Sequence, residues 1–252
     1  MKDIFNLKNK IALVTGGCSG IGKVVAEALN DFNVKVVVGD INVDKEKRIK
    51  EKEILYVKSD ITKLDDVKKL VYEVKKKFNR IDLLVNCAGV AKRIPVEVMS
   101  EKDWDMIINV NLKGTFLVNQ IVGREMIKQK KGNIINIASI SGITCNKGLN
   151  WLSAYCASKA GVILFSKELS IEWVKYNIRV NCISPGYMKT PMTYKTRTNP
   201  DQTVYKELID SVPMRRYGDP KELIGAIIFL ASDASSYVTG ANLIVDGGYT
   251  SW

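Results

Sequence analysis

The apolar residues of this chain fall into two kinds of segment that alternate along its length. Short runs rich in Val, Ile and Leu predict strands, and longer segments with apolar residues at helical spacing predict helices. The predicted strands are Ile11–Thr15, Val34–Gly39, Ile54–Val57, Ile81–Val85, Asn133–Ala138, Ile178–Ile183 and Leu243–Val245. The predicted helices are Gly20–Asn30, Val43–Lys50, Leu64–Phe78, Trp104–Lys130, Ala154–Lys175 and Pro220–Leu230. Apolar strands separated by helices are typical of a parallel sheet covered on both faces, so the sequence predicts a doubly wound α/β fold.

One domain is expected over residues 1–252, because no linker-like segment and no block of charge divides the chain. The segment from Gly186 to Gly218 shows no clear periodicity. A loop of this length in a compact domain usually forms a lid or a binding element, which predicts a substrate lid at about 187–215. The helix at Pro220–Leu230 carries apolar residues on more than one face, which predicts a surface for a partner subunit.

The net charge of +11 is the one unusual feature of an otherwise ordinary globular composition. A nucleic-acid partner is one interpretation of such a basic chain. However, Lys68, Lys69 and Lys75 alternate with apolar residues at helical spacing, as on a solvated helix face. The sequence therefore favours no nucleic-acid partner, and the charge is expected to attract small anionic ligands.

No segment of the sequence predicts a membrane span or a secretory signal. The longest stretch without a charged residue, Gly132–Asn146, has 15 residues, whereas a span needs about 20 apolar ones. The first six residues lack the apolar region of a signal peptide. The five cysteines have neither zinc-binding nor redox spacing. We therefore expect no membrane association, no metal site and a reduced, cytoplasmic protein.

Histidine is absent from the chain. Its absence excludes Ser-His-Asp hydrolysis and Cys-His proteolysis, and it removes the commonest ligand of transition metals. Proton transfer near neutral pH must then use Tyr, Lys, Asp, Glu or Cys with a shifted pKa.

A glycine-rich turn joins the first predicted strand to the first predicted helix. Gly16, Gly20 and Gly22 lack side chains where a backbone would have to approach a pyrophosphate, and Ser19 and Ile21 lie between them. Tight turns without a ligand also use such glycines. The strand before the turn and the helix after it favour dinucleotide binding.

Asp40 ends the second predicted strand, 24 residues after Gly16, near the place expected for a carboxylate on the adenosine ribose. No basic residue follows at Ile41 or Asn42, and a carboxylate repels a 2′-phosphate. The sequence therefore favours NAD(H) over NADP(H) as the cofactor. The alternative is that Asp40 only caps the following helix.

The third and fourth predicted strands end in small or polar residues. Ligands of an open α/β sheet bind beyond the carboxyl ends of its strands, so these residues are expected to leave room for adenine and ribose. They are Asp60, Ile61, Asn86, Ala88 and Gly89.

Tyr155 and Lys159 are four residues apart in a predicted helix and therefore share one face. A nearby cation stabilises a phenolate, so Lys159 is expected to lower the pKa of Tyr155 and make it a usable acid or base. A solvated surface pair is the alternative interpretation. Ser139 at a strand end could hydrogen-bond a substrate oxygen, and Asn111 is a polar residue in an otherwise apolar helix.

Five motifs of the chain resemble, in the same order, those of the short-chain dehydrogenase/reductase family. They are T-G-x3-G-x-G, N-x-A-G, an Asn in a helix, a Ser followed by Y-x3-K, and P-G-x3-T. The resemblance extends from the glycine turn to the Asp-Gly-Gly near the C-terminus. It implies a Rossmann-like sheet of about seven strands, NAD(P)-dependent interconversion of alcohol and carbonyl groups, and usually a homotetramer.

The resemblance also implies a role for each matching residue. Tyr155 is expected to be the catalytic acid/base, Lys159 its partner and a ligand of the ribose, and Ser139 the residue that orients the substrate, with Ser141 a weaker alternative. Asn111 is expected to hold a water of the proton relay. The segment expected to fix the nicotinamide contains Pro185, Gly186, Met188 and Thr190.

The loops expected to contact the substrate are polar and basic, which favours a small polar substrate over a sterol. Their candidate residues are Arg93, Asn150, Trp151 and Tyr187, together with Ser139. The segment from Ala88 to Arg93 resembles that of gluconate and deoxygluconate dehydrogenases, so a sugar, polyol or sugar acid is the first choice. The alternatives are a 3-oxoacyl-[acyl-carrier-protein] reductase and a catalytically silent NAD-sensing protein on the same fold.

Overall fold

A computed structural model describes residues 3–44, 53–145, 151–199 and 203–251. Its seven strands form one sheet in the order β3-β2-β1-β4-β5-β6-β7, and every neighbouring pair is parallel. The strands are β1 (Ile11–Thr15), β2 (Lys35–Asp40), β3 (Ile54–Lys58), β4 (Leu83–Asn86), β5 (Gly132–Ile137), β6 (Ile178–Pro185) and β7 (Asn242–Val245). The predicted doubly wound sheet of seven strands is confirmed, with strand ends shifted by up to two residues.

Eight α-helices connect the strands within the described ranges. They are α1 (Gly20–Asp31), α2 (Leu64–Phe78), α3 (Glu101–Ile108), α4 (Gly114–Gln129), α5 (Ser153–Trp173), α6 (Tyr194–Arg197), α7 (Thr203–Ser211) and α8 (Ile224–Ala231). Short 3₁₀ turns lie at Val96–Val98, Ile140–Gly142, Val174–Tyr176, Pro191–Thr193, Pro220–Leu223, Asp233–Ser235 and Tyr249–Ser251. Of the helix predicted at Val43–Lys50, the first two residues are not helical and the rest lie outside the described residues.

The helix predicted as continuous over Trp104–Lys130 is interrupted by a π-helical turn at Asn109–Lys113. This turn separates α3 from α4 without ending the helical path, since the residues on both sides keep helical backbone angles. The helix also starts earlier than predicted, because the Ser100 side chain accepts a hydrogen bond from the Asp103 backbone and forms an N-cap. π-Turns inside α-helices often mark functional positions.

The sheet is buried on both faces, as its continuous apolar strands predict. Alternate residues of one strand face opposite layers, so Val14 and Val38 pack in the layer with α1 and α8, whereas Leu13 and Leu84 pack in the layer with α2 and α4. The apolar residues of α8 belong to the first layer, with Ile227 and Leu230 each about 1% exposed. Ile227, Ile228 and Leu230 therefore complete the core of their own chain and cannot contact a partner, which corrects the expectation for these residues, whereas the expected partner subunit itself stays a prediction.

The segment predicted as a lid without periodicity contains two helices, α6 and α7. Helix α7 buries Leu208 against Val212, Tyr217 and Tyr249 in a small apolar cluster beside the sheet. The nine residues of α7 are too few for their periodicity to stand out among the surrounding polar residues. No helix within the described ranges is long and apolar enough to cross a membrane.

Candidate active site

A cleft of about 1220 Å³ lies at the carboxyl ends of the strands. This exceeds the volume of about 300–1,000 Å³ typical of small-molecule pockets, as expected where a dinucleotide and a substrate bind together. The predicted site residues that line it are Gly16, Ser19, Gly20, Ile21, Gly22, Asp40, Ile41, Asp60, Ile61, Ala88, Gly89, Arg93, Ser139, Tyr155, Lys159, Pro185, Gly186, Tyr187, Met188 and Thr190. The structure thus brings most of the predicted site together.

Two glycines of the turn at one end of the cleft, Gly16 and Gly22, leave no room for a side chain. A Cβ atom at Gly16 would lie 2.7 Å from the Cα of Ala88, and one at Gly22 would collide with the backbone oxygen of Gly16. Gly20 has a φ of +53°, and the nearest neighbour of a Cβ there would be 3.8 Å away on Thr190 and Pro191. The backbone at the start of α1 is therefore open towards the cleft, and the turn fits the pyrophosphate of a dinucleotide.

The Asp40 carboxylate is fixed at the edge of the cleft by two backbone groups. Its Oδ2 accepts from the Cys18 amide at 3.0 Å, and its Oδ1 accepts from the Asn42 amide at 3.0 Å. The residues after Asp40 up to position 44 are not helical, so Asp40 does not cap a helix there. Each carboxylate oxygen keeps a further acceptor site, which leaves Asp40 able to bind two ribose hydroxyls.

Asp60 lies at the same edge of the cleft, next to Ile61. Desolvation acts to raise the pKa of Asp60, but hydrogen bonds from Thr62 and the charge of Lys63 hold it below its ordinary value. The Thr62 amide and hydroxyl donate to its Oδ1 at 3.0 and 2.7 Å. The Asp60 carboxylate is therefore ionised and held in a fixed orientation where it lines the cleft.

The Asn86 side chain does not line the cleft, and the expectation that this residue binds the cofactor stays a prediction. Its side chain is 4% exposed and points into the interior of the sheet. Its Oδ1 accepts from the Thr15 hydroxyl at 3.2 Å, and its Nδ2 donates to the Asn136 Oδ1 at 2.8 Å. The residues after it reach the cleft because β4 ends at Asn86.

Ser139, Tyr155 and Lys159 meet at the other end of the cleft. The Ser139 side chain is hydrogen-bonded to that of Tyr155, and the Lys159 Nζ lies 5.8 Å from the centre of the tyrosine ring. Lys159 is 5% exposed and donates to the Ile137 carbonyl at 2.8 Å. The predicted solvated surface pair is excluded, because both side chains belong to the wall of the cleft.

The two ionisable groups of this cluster have shifted pKa values. Burial raises the pKa of Tyr155, and the hydrogen-bonded Ser139 acts in the opposite direction. The expectation of a lowered pKa for Tyr155 is therefore wrong for the cofactor-free chain, because burial dominates. Burial lowers the pKa of Lys159 to about 8, against the influence of Cys87 and Cys182, which raise it. A neutral tyrosine and a lysine that can lose its proton near neutral pH thus lie side by side.

Asn111 lies in the π-helical turn and is fully buried behind the cleft. Its side chain clamps the loop after Gly89: its Oδ1 accepts from the Val90 amide at 2.8 Å, and its Nδ2 donates to the Val90 carbonyl at 2.9 Å. The same Nδ2 donates to the Ser158 hydroxyl at 3.0 Å. The Asn111 side chain thus holds the loop after Gly89, which lines the cleft, against α5.

The substrate end of the cleft is partly as predicted. The Arg93 guanidinium lines the cleft and lies 5.8 Å from the centre of the Trp151 ring. Trp151 has a φ of +66°, and its carbonyl accepts from the Ile94 amide at 2.9 Å, but its side chain does not line the cleft. Tyr187 does line it and packs edge-on against Tyr249. Asn150 lies outside the described residues.

Sequence reasoning missed a set of residues that also line the substrate end. They come from α3, the π-helical turn, the start of α5 and the lid segment: Met106, Asn109, Val110, Leu152, Met192, Asn199, Val204 and Tyr217. The π-helical turn changes which face of the helix points to the cleft, and no local sequence signal marks such a turn. Tyr217 reaches the cleft only because α7 folds back beside it.

A doubly wound parallel sheet with a glycine cradle and a Ser-Tyr-Lys cluster at its carboxyl edge defines an NAD(P)-dependent oxidoreductase. A family model described as enoyl-(acyl carrier protein) reductase matches residues 16–250. Together with the relatives below, it shows that the chain belongs to the short-chain dehydrogenase/reductase family. Its members act on CH–OH groups and the corresponding ketones, and this chain is an oxidoreductase of that type.

The chain is 42% identical to an NAD-dependent glycerol dehydrogenase of Listeria innocua, over 98% of this chain and 96% of that protein. It is also 42% identical to the 3-oxoacyl-[acyl-carrier-protein] reductase FabG of Thermotoga maritima, over 96% of this chain and 98% of that protein. Among solved structures, a gluconate 5-dehydrogenase from Burkholderia cenocepacia in complex with NADP and tartrate superposes with a TM-score of 0.91. That protein is 33% identical, and the match covers 99% of this chain and 98% of that one.

Proposed function

We propose that this protein is an NAD(H)-dependent dehydrogenase that interconverts a secondary alcohol and a ketone on a sugar, a polyol or a sugar acid. The observation that carries the proposal is a set of charged and hydrogen-bonding side chains, set among apolar ones, at the substrate end of the cleft beside the Ser139–Tyr155–Lys159 cluster. Arg93, Lys195 and Asn199 line this end together with threonine hydroxyls of the lid. Hydroxyl-rich substrates are recognised by such hydrogen-bonding groups, whereas a long acyl chain requires apolar area.

The reaction follows from the positions of the protein's own groups. In oxidation, Tyr155 first loses its own proton to solvent, and its phenolate oxygen then takes the proton of the substrate hydroxyl, while the Ser139 hydroxyl hydrogen-bonds the same substrate oxygen as it becomes a carbonyl. The nicotinamide, when bound, accepts the hydride that leaves the carbinol carbon. Lys159, held by the Ile137 carbonyl, provides an ammonium beside the tyrosine that stabilises the phenolate before this proton transfer. Reduction runs through the same groups in reverse.

The preference for NAD(H) rests on Asp40. Its carboxylate is anchored by two backbone amides at the edge of the cleft, so it cannot easily turn away from a 2′-phosphate. The neighbouring cleft residue is Ile41, which offers no positive charge. The Listeria relative is named NAD-dependent, and the Burkholderia structure holds NADP, so Asp40 is the feature of this chain that supports NAD(H).

A second candidate is a 3-oxoacyl-[acyl-carrier-protein] reductase. The Thermotoga relative bears that name at the same identity as the glycerol dehydrogenase, and the net charge of +11 would suit an acidic carrier protein. Arg93, Lys195 and Asn199 favour the first candidate over this one, because they suit a hydroxyl-rich substrate better than an acyl chain.

We also propose that the protein is a cytoplasmic homotetramer. The family resemblance supports the tetramer, and so does α5, where Leu164 and Ile171 are each 70% exposed although both are large and apolar. Five cysteine thiols without a disulfide support a reducing compartment. No nucleic acid or membrane is proposed as a partner.

A panel of substrates tests the proposed function. Purified protein is assayed for change in nicotinamide absorbance with polyols, aldonates and ketoses, and in parallel with a 3-oxoacyl thioester, each with NAD(H) and NADP(H). Turnover of a polyol, aldonate or ketose with NAD(H) is expected. Preferential turnover of the acyl thioester with NADPH would instead establish the second candidate.

A further inference from the structure

A buried side-chain amide in β5 joins four elements of the fold. Asn136 has no exposed surface, and its Oδ1 accepts from Nδ2 of Asn86 on β4 at 2.8 Å and from Nδ2 of Asn119 on α4 at 3.1 Å. Its Nδ2 donates to the hydroxyl of Ser166 on α5 at 2.8 Å. We call Asn136 with these three partners the amide hub.

The four elements joined by the amide hub are the ones that carry the catalytic groups. Strand β4 leads to Gly89, and α4 continues from the turn that contains Asn111. Strand β5 leads to Ser139, and α5 carries Tyr155 and Lys159. A Cβ atom at Gly89 would lie 3.3 Å from the Asn111 Oδ1 and 3.5 Å from the Lys159 Nζ, so these elements converge at one point.

The geometry of the catalytic cluster depends on how β5 is placed against α5. The Lys159 ammonium is held by the carbonyl of Ile137, the residue directly after Asn136, and Tyr155 is hydrogen-bonded to Ser139, three residues after Asn136. The hydrogen bond from Asn136 to Ser166 spans the same two elements two helical turns farther along α5. A shift of α5 along β5 would therefore break this bond and the two catalytic contacts together.

The amide hub is not explained by stability alone. The Asn119 Oδ1 is buried and has no hydrogen-bond partner within the described ranges. An unsatisfied buried acceptor costs free energy, and apolar side chains of similar size would pack there without that cost. Directional hydrogen bonds fix the spacing of elements more narrowly than apolar contacts do, and this is the property that a catalytic cluster on separate elements requires.

We propose that Asn136 is a positioning residue for the dehydrogenase reaction. It acts through β5 and α5 to set the placement of Ser139, Tyr155 and Lys159. This inference rests on the proposed function, because it concerns the turnover of an alcohol at that cluster.

The sharpest test removes one hydroxyl from α5. Ser166→Ala deletes the partner of Asn136, whereas Ser170→Ala, the matched control, deletes a buried hydroxyl one turn farther along. Both hydroxyls also donate to a backbone carbonyl of their own helix at 2.7 Å, so both variants lose that bond. Ser166→Ala is expected to lower kcat by about three- to tenfold, the effect of one hydrogen bond expressed in the transition state. Ser170→Ala is expected to keep the wild-type kcat, and the Kd for NAD is expected to stay unchanged in both.

Asn136→Leu extends the test, with an expected fall in kcat of at least about tenfold if the variant folds. Ser166→Ala keeps the proposal testable if Asn136→Leu does not fold. Equal kcat values for Ser166→Ala, Ser170→Ala and wild type would overturn the positioning role, as would equal losses in both serine variants. A wild-type protein that turns over no alcohol would overturn the proposed function itself, and the positioning role with it.

Discussion

At the scale of single residues, Asp40 is the side chain expected to face the adenosine ribose, where NADP carries a 2′-phosphate and NAD does not. A 2′-phosphate there meets a fixed carboxylate, and neither Ile41 nor Asn42 beside it carries a positive charge, so NAD(H) should be preferred at least about tenfold in kcat/KM, equivalent to about 1.4 kcal/mol. The double variant Asp40→Ala/Ile41→Arg should erode or reverse this preference. The measurement is kcat/KM with each cofactor at a fixed alcohol concentration.

Asp44→Ala is the control for that prediction, because it removes an exposed carboxylate that does not line the cleft. It should leave the cofactor preference unchanged. Wild-type kinetics that are equal or better with NADP(H) would show that Asp40 does not select the cofactor.

Lys159 should make the stability of the cofactor-free protein depend on pH. Burial lowers the pKa of Lys159 from 10.5 to about 8, so between these values the unfolded chain binds a proton that the folded chain has lost. The contribution of Lys159 to the free energy of unfolding therefore rises with pH across this window and is constant below it. Lys159→Met should lack that rise, which denaturant unfolding of both proteins at several pH values would measure. Parallel stability curves for the two proteins would show that the pKa of Lys159 is not lowered.

Some site residues could be predicted from the sequence alone, and others could not. The glycine turn, Asp40 and the Tyr155–Lys159 pair could be placed because their spacing is local and their elements are regular. The inward direction of the Asn86 side chain could not be predicted, because only the pairing of β4 with β5 shows that it meets Asn136. The raised pKa of Tyr155 depends on burial, which a spacing of four residues does not reveal.

At the scale of elements, the order of strands and helices was predictable because apolar runs and helical periodicity are long and strong. The π-helical turn was not, since its residues continue the apolar pattern of the helix around it. That turn brings Asn109 and Val110 to the cleft while Asn111 clamps the loop after β4. The substrate end is therefore built mainly from features that only the folded chain shows.

The loop after β4 should discriminate between charged and neutral substrates through Arg93. A guanidinium can bind a carboxylate through two parallel hydrogen bonds, and a charged hydrogen bond contributes about 1.5–3 kcal/mol. Arg93→Ala should therefore raise KM for an aldonate by about 10–150-fold and leave KM for the matching neutral polyol nearly unchanged. Arg93→Lys should reverse only part of this rise in KM, because lysine keeps the positive charge but cannot form the two parallel hydrogen bonds of a guanidinium.

Lys92→Ala is the matched control for Arg93, since it removes the neighbouring positive charge, which is paired with Asp103 at 2.7 Å. Lys92→Ala should leave KM for the aldonate and for the polyol unchanged. If Arg93→Ala changes KM for both substrates equally, Arg93 does not bind the carboxylate. A neutral sugar or polyol then becomes the better candidate substrate.

At the scale of the whole molecule, the exposed apolar side chains of α5 should be covered by other copies of the chain. Light scattering at micromolar concentration should give a mass about four times that of the 28.1 kDa chain. Ile171→Glu places a charge on the exposed apolar face and should lower the measured mass. A wild-type mass near that of one chain would contradict the proposed tetramer.

The proposed alcohol oxidation depends most directly on Tyr155 as the acid/base of the cleft. The most direct measurement compares kcat for NAD-dependent oxidation of an active polyol or aldonate in wild type, Tyr155→Phe and the exposed control Tyr72→Phe, with the Kd for NAD determined in each. Tyr155→Phe should lower kcat by about 10²–10⁴-fold while NAD still binds, because it removes the proton-transferring hydroxyl and keeps the ring. Tyr72→Phe should match wild type. Near-full activity in Tyr155→Phe would show that Tyr155 is not the acid/base of the reaction.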